Sequence, residues 1–140
     1  KEKTAEDDSI ITKIIVDGTE LDILSVHLYS SWSKVRFNSA DKQIQIIKNL
    51  IKGKNRNLIL VGDFNMTNIS KRFVSFIEET NLYTYTSYLH PTFTWPAYLP
   101  WYFGIQIDHI LFSENIKMVK KKTAENLGSD HRALIVDLAF

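Results

Sequence analysis

Three short runs in this chain, Leu58 to Val61, Ile107 to Phe112 and Ala133 to Leu138, are apolar at odd and even positions alike. Side chains alternate across a strand, so strands of this kind need cover on both faces. The sequence offers two amphipathic helices for that task. One is expected over about Ala40 to Lys52, N-capped by Ser39 and stopped by Gly53. Its stripe is Ile44, Ile47 and Ile51, widened by Ile46 and Leu50. The other is expected over about Lys71 to Thr80, capped by Ser70 and burying Phe73, Phe76 and Ile77. Two such helices cover one face of one sheet. The expected architecture is therefore α/β (α+β), one mixed sheet with helices on one face. The other face calls for a second layer that the chain is not expected to encode. A missing segment or a second copy of the chain would supply it.

The remaining pattern fits that frame. Ile10 to Asp17 reads as a strand, Asp17-Gly18 as a hairpin turn and Leu21 to Leu28 as the return. Ser30 to Asn38 reads as a loop, Ile116 to Lys121 as a further strand, and the polar stretch 1–9 is expected to fray. With 140 residues, 44% of them apolar, residues 10–140 can form one domain with a real core. Seventeen basic against 16 acidic residues leave a net charge of +1, which slightly disfavours a long polyanion as ligand. The local run Lys117, Lys120, Lys121 and Lys122 reads as a solvated strand edge, with a phosphate track as the alternative. The absence of cysteine excludes disulfides, zinc–thiolate sites and thiol nucleophiles. No apolar run approaches the roughly 20 residues of a membrane span, and the compartment is left unassigned. The chain opens on Lys1, so it is expected to start at a processing site or a cut, with a segment before it.

Three clusters carry chemistry, each where a strand meets a loop. In Gly62-Asp63-Phe64-Asn65 the glycine permits close backbone approach, and an extended segment would put Asp63 and Asn65 on one side. A carboxylate and an amide there can hold a water and a hydrated cation; the plainer alternative is an Asx-rich turn. In Ile107-Asp108-His109-Ile110-Leu111 the acid lies inside an apolar strand and needs a buried partner, for which a histidine is suited. His109 points the opposite way and reads as a packed or capping residue. In Gly128-Ser129-Asp130-His131 the adjacent acid and imidazole can serve two different neighbours, Asp130 a metal and His131 a carboxylate. The alternative there is a polar turn with a surface histidine.

These clusters, in this order, resemble the endonuclease/exonuclease/phosphatase superfamily. It includes apurinic endonucleases, pancreatic-type deoxyribonucleases, neutral sphingomyelinases and inositol-polyphosphate phosphatases. Ser25-Val26-His27-Leu28 adds a fourth match, to the strand-end histidine before the first helix of many members. The runs Thr94-Trp95-Pro96-Ala97 and Ile105-Gln106-Ile107-Asp108-His109 look more like bacterial members than the specialised DNA-repair ones. The resemblance covers the chain from about Ile10 onward and implies the C-terminal half of a four-layer α-β-β-α sandwich. It implies hydrolysis of a phosphodiester or phosphomonoester by in-line water attack, assisted by Mg²⁺ or Mn²⁺. Asp63 would orient or deprotonate the water, or support the leaving oxygen, and Asn65 would hydrogen-bond that water or a phosphate oxygen. Asp108 would fix the tautomer of His131, the general base or the cationic stabiliser. Asp130, with Asp63, would place the metal, and His27 would contact a phosphate oxygen or act as an acid.

The sequence also departs from the family. Its members carry an asparagine on an opening strand and a metal-binding glutamate after a glutamine, both on an N-terminal half, and neither context occurs here. The expectation is an incomplete site, with the missing half or a homodimer partner completing it. A non-catalytic, dimerising remnant of the fold is the alternative. A calcineurin-like metallophosphatase is disfavoured, since an early Asp-x-His and a Gly-Asn-His-Asp/Glu motif are both absent. The substrate, whether nucleic acid, phospholipid headgroup or small phosphodiester, is not readable. Leu82 to Gly104 holds all three prolines and a dense set of aromatic rings. Most of these rings are expected to pack on the core. Base stacking or insertion into a lipid interface are the functional alternatives, with Trp95, Tyr98 and Trp101 as substrate-contact candidates.

Overall fold

The computed structural model describes residues 2–3, 9–31, 33–53, 57–84, 92–124 and 128–140. The strands are β1 (Glu2–Lys3), β2 (Ile10–Val16), β3 (Thr19–His27), β4 (Leu58–Asp63), β5 (Asp108–Phe112), β6 (Lys117–Thr123) and β7 (Leu134–Ala139). Helix α1 (Lys34–Ile51) joins β3 to β4, and α2 (Lys71–Thr80) follows β4. The first five strands form one sheet in sequence order, β1-β2-β3-β4-β5. All its neighbours are antiparallel except β3 and β4, which run parallel because α1 carries the chain back across the sheet. Asp17 and Gly18 both have positive φ, 50° and 80°, as the tight turn between β2 and β3 requires. The leading segment expected to fray contributes the two-residue strand β1.

Both faces of the sheet carry a core. On one face Leu24, Val26, Leu60 and Leu111 meet Ile44, Ile47 and Ile51 of α1 and Phe73 and Phe76 of α2. On the other, Leu21, Ile59, Phe112 and Ile116 are buried, with Ile23, Val61, Ile110, Met118 and Leu138 packed against them. Met118 and Leu138 belong to β6 and β7, an antiparallel pair that forms a second, two-stranded sheet. The expectation that the chain encodes nothing of the second layer is thus corrected: the β6–β7 pair is a narrow piece of it. The cover is partial: Ile10 and Val16 of β2, on the same face as Ile14, stay 37% and 36% exposed. Expecting β7 to be apolar on two covered faces was also too simple. Its residues alternate between half-buried and exposed.

Helix α1 begins six residues before the sequence placed it. Its cap is Ser33, whose hydroxyl accepts from the Arg36 amide at 3.3 Å. Ser39 lies inside the helix and donates to the Val35 carbonyl at 3.1 Å. Helix α2 has the expected bounds and its expected cap, Ser70. Among the described residues, no helix is long and apolar enough to cross a membrane.

Candidate active site

Strand register builds the site. His27 of β3 lies opposite Asp63 of β4 in the parallel ladder, and Asp63 lies opposite Asp108 of β5 in the antiparallel one. Three chemically active residues therefore form one row across three neighbouring strands. Paired residues share a face, so this row continues the face of Leu21, Ile59 and Ile110, away from the helices. His109 projects to the helix side. It is buried, its Nε2 lies 2.8 Å from the Met66 carbonyl, and its ring rests against Phe73 with centroids 4.1 Å apart. Burial holds its pKa down at about 4, which fits the packed role expected of it.

The turn after β4 brings in Asn65. Its φ of 49° curls the backbone into the left-handed region that asparagine tolerates. Asp63 accepts from the Asn65 amide through Oδ1 at 2.7 Å and from Asn65 Nδ2 through Oδ2 at 3.1 Å. Nδ2 also donates to the Leu28 carbonyl at 2.8 Å. The Asx turn and the paired side chains are thus the same object, reached by a bend and not by an extended segment. Gly62 has φ 143°, and a Cβ there would stand 1.9 Å from the Val26 carbonyl oxygen. Only glycine lets β3 and β4 close at the point where the row forms.

His131 enters from the loop before β7. That loop is tied to the segment after residue 92 by Arg132 N to Thr94 O and Ala97 N to Asp130 O, both 2.7 Å. The Thr94 hydroxyl in turn accepts from the amides of Ile107 and Asp108, each at 3.3 Å. His131 Nδ1 then lies 2.9 Å from Asp108 Oδ2, and its Nε2 stands 4.0 Å from Asp63 Oδ2. Burial alone would lower the His131 pKa, but the hydrogen bond and charge of Asp108, with the charges of Asp63 and Asp130, raise it overall. Asp63 is raised too, first by burial and then by Asp108; the Asn65 amide, His131 and His27 act against that. His27 Nε2 is 3.7 Å from Asp63 Oδ2 and exposed to solvent.

These groups line one open cleft of about 1040 Å³, together with Asp130, Trp95 and Arg36. Asp63, Asp108 and His131 present ligand atoms within 4.8 Å of one another. Asp63, whose carboxyl is raised chiefly by burial, and the exposed carboxylate of Asp130 both line this cleft, and oxygen donors of this kind suit a hard divalent cation. Asp130 is exposed at the cleft and lies outside the three-residue cluster. Among the substrate-contact candidates, Trp95 lines the cleft, Tyr98 is exposed and outside its lining, and the Trp101 side chain lies outside the described set. Sequence reasoning missed Arg36, Tyr29, Ser30, Ser31, Thr67 and Ile105 as lining, because α1 was started too late and single polar residues in loops give no pattern. It also missed buried Gln43, which accepts from Tyr29 N at 2.8 Å and donates to His27 O at 3.3 Å, fixing the strand end.

The profile of the Endonuclease/Exonuclease/phosphatase family matches residues 4–131. No curated protein matches the chain. Among solved structures, the catalytic domain of human Nocturnin superimposes with a TM-score of 0.69 at 23% identity, over 94% of this chain and 52% of that one. The 3′ phosphatase NExo from Neisseria, solved with a product DNA hairpin, gives 0.70 at 16% identity, over 93% and 65%. A mannosyl-6-phosphatase from Bacteroides thetaiotaomicron gives 0.59 at 23% identity, over 89% and 53%. The chain thus spans roughly half to two thirds of the length of these structures, and the likeness is one of fold. With the match over residues 4–131 and the Asp63–Asp108–His131 constellation in the place the motifs required, the chain belongs to the endonuclease/exonuclease/phosphatase family.

Proposed function

We propose that the cleft hydrolyses a phosphodiester or phosphomonoester by in-line attack of water. The observation that supports this most is His131, bonded to Asp108 through Nδ1 while Nε2 is turned toward Asp63. Asp108 fixes the tautomer, so Nε2 can take a proton from water, or, protonated, donate to a phosphate oxygen as charge develops. Asp63 and Asn65, locked to each other, orient the water between them and the phosphorus. His27, opposite Asp63 in the ladder, donates to a phosphate oxygen from the exposed side. Asp63 and Asp130 would hold Mg²⁺ or Mn²⁺, whose chemistry when bound is to polarise the phosphate and neutralise its charge.

The site is completed, on this reading, by donors from beyond these residues. The catalytic row lies on the sheet face that β6–β7 covers only in part, the face on which a second layer would sit. An N-terminal half or a second copy of the chain would close it. The test is hydrolysis of bis-p-nitrophenyl phosphate and p-nitrophenyl phosphate with Mg²⁺, Mn²⁺ or chelator. It is run on the 140-residue chain and on its assembly with a complementing half. Metal-dependent turnover by the assembly, abolished by His131→Ala, is the expected result. Turnover by the lone chain would remove the incompleteness but keep the chemistry; no turnover in either form would sink both.

A further inference from the structure

The loop between β-bridge partners Trp95 and Ile105 presents apolar side chains outward while its own backbone is firmly held. Tyr98 is 69%, Tyr102 58% and Phe103 66% exposed, and Leu99 and Ile105 are exposed as well. Core packing, the role expected for most of these rings, does not account for them. Nor is the loop slack. Trp95 and Ile105 exchange backbone hydrogen bonds of 3.0 and 2.7 Å, and Phe103 N donates to Pro100 O at 2.9 Å. Arg132 donates to the carbonyls of Ala97 and Leu99. A Cβ at Gly104 would meet Phe93 Cβ at 2.8 Å, so the loop is pressed against the strand before it. The backbone is thus tied inward at several points, while the rings and Leu99 face water.

We propose that this loop docks the protein on a lipid surface, delivering to the cleft a phosphoester borne on an amphiphile. The substrate part rests on the phosphoester reading above; the docking part does not. Residues 92–107 contain no Asp, Glu, Lys, Arg or His. A base-stacking surface needs cations to track the backbone; the loop carries none, and of the basic run on β6 Lys121 meets the loop at its base, donating to Gln106 Oε1 at 3.3 Å. Tyrosine, phenylalanine and leucine without charge match the headgroup–acyl boundary, where aromatic rings reside. Trp95 and Ile105, at the base of the same loop, line the cleft, so the docked surface and the catalytic row are contiguous.

The experiment is co-sedimentation with phosphatidylcholine vesicles, comparing the unaltered chain, the double variant Leu99→Ser/Phe103→Ser and the conservative Phe103→Leu. The unaltered chain and Phe103→Leu should bind alike, and added salt should leave binding unchanged because no charge takes part. The double variant should bind weaker by on the order of a hundredfold, about tenfold per side chain. Unchanged melting temperature verifies its fold, and its hydrolysis of bis-p-nitrophenyl phosphate in the completed assembly should match the unaltered protein. Failure of the unaltered chain to bind vesicles, alone or in the completed assembly, or equal binding by the double variant, overturns the proposal. So does loss of single-stranded oligonucleotide binding in its place, or conversion of a dimer to a monomer, which would make a second copy the occupant. Absence of hydrolysis with vesicle binding intact would count against the catalytic reading alone.

Discussion

His109 on β5 and His131 in the loop before β7 flank Asp108 and have pKa values shifted in opposite senses. His131 has a raised pKa, so its contribution to stability is complete below the unfolded value near 6.5 and is lost as pH rises through the folded value. His109, held at about 4, contributes fully above 6.5 and loses its contribution as pH falls toward 4. At 1.36 kcal/mol per unit that amounts to about 3 kcal/mol. Asp63 acts the other way in the acid range, since its raised pKa makes its ionisation costly as pH rises past 3.8. Denaturant unfolding at about pH 7 and about pH 4.5 should therefore show a smaller pH-dependent loss in His109→Leu than in the unaltered chain. At the site, Asp108→Asn should lower the His131 pKa and shift its imidazole resonances to titrate at lower pH in NMR. In the completed assembly the same change should reduce turnover by about 10²- to 10⁴-fold.

The elements show what could be read in advance and what could not. Helix α2 was legible because Phe73 and Phe76 form a buried stripe directly behind its cap, Ser70. The start of α1 was not, because residues 34–38 are all exposed and leave no stripe, while Ser39 ahead of buried Ala40 imitates a cap. The motifs at Asp63, Asp108 and His131 were legible as chain punctuation, but the alignment of His27, Asp63 and Asp108 in one row was not, since register is set by pairing between distant segments. Two residues that hold this arrangement can be tested directly. Gly62→Ala should destabilise the fold by about 2–4 kcal/mol, read as a lowered melting temperature, because its Cβ would collide with the Val26 carbonyl. Gln43→Leu leaves Tyr29 N and His27 O without their buried partner and should cost about 1–3 kcal/mol in unfolding free energy.

At the scale of the whole molecule, the sheet carries a full core on the helix side and a partial one on the side of the catalytic row. The two-faced strands foretold a second layer; that β6 and β7 would start it was hidden, because a strand's sequence names its apolar faces and not its neighbour. Light scattering should report a mass above 16.2 kDa for the active form, as a dimer or as a complex with a complementing half. A purely monomeric active species would argue against completion in trans. The facing of Asp63 and Asp108 across the β4–β5 ladder also bears on how such a sequence can drift. A one-residue insertion within either strand would turn one carboxylate to the helix side, even with every original amino acid retained. Length changes in lineages that keep the chemistry should therefore gather in the connections and spare Leu58–Asp63 and Asp108–Phe112, so that gaps in β4 or β5 would mark relatives that have given up catalysis.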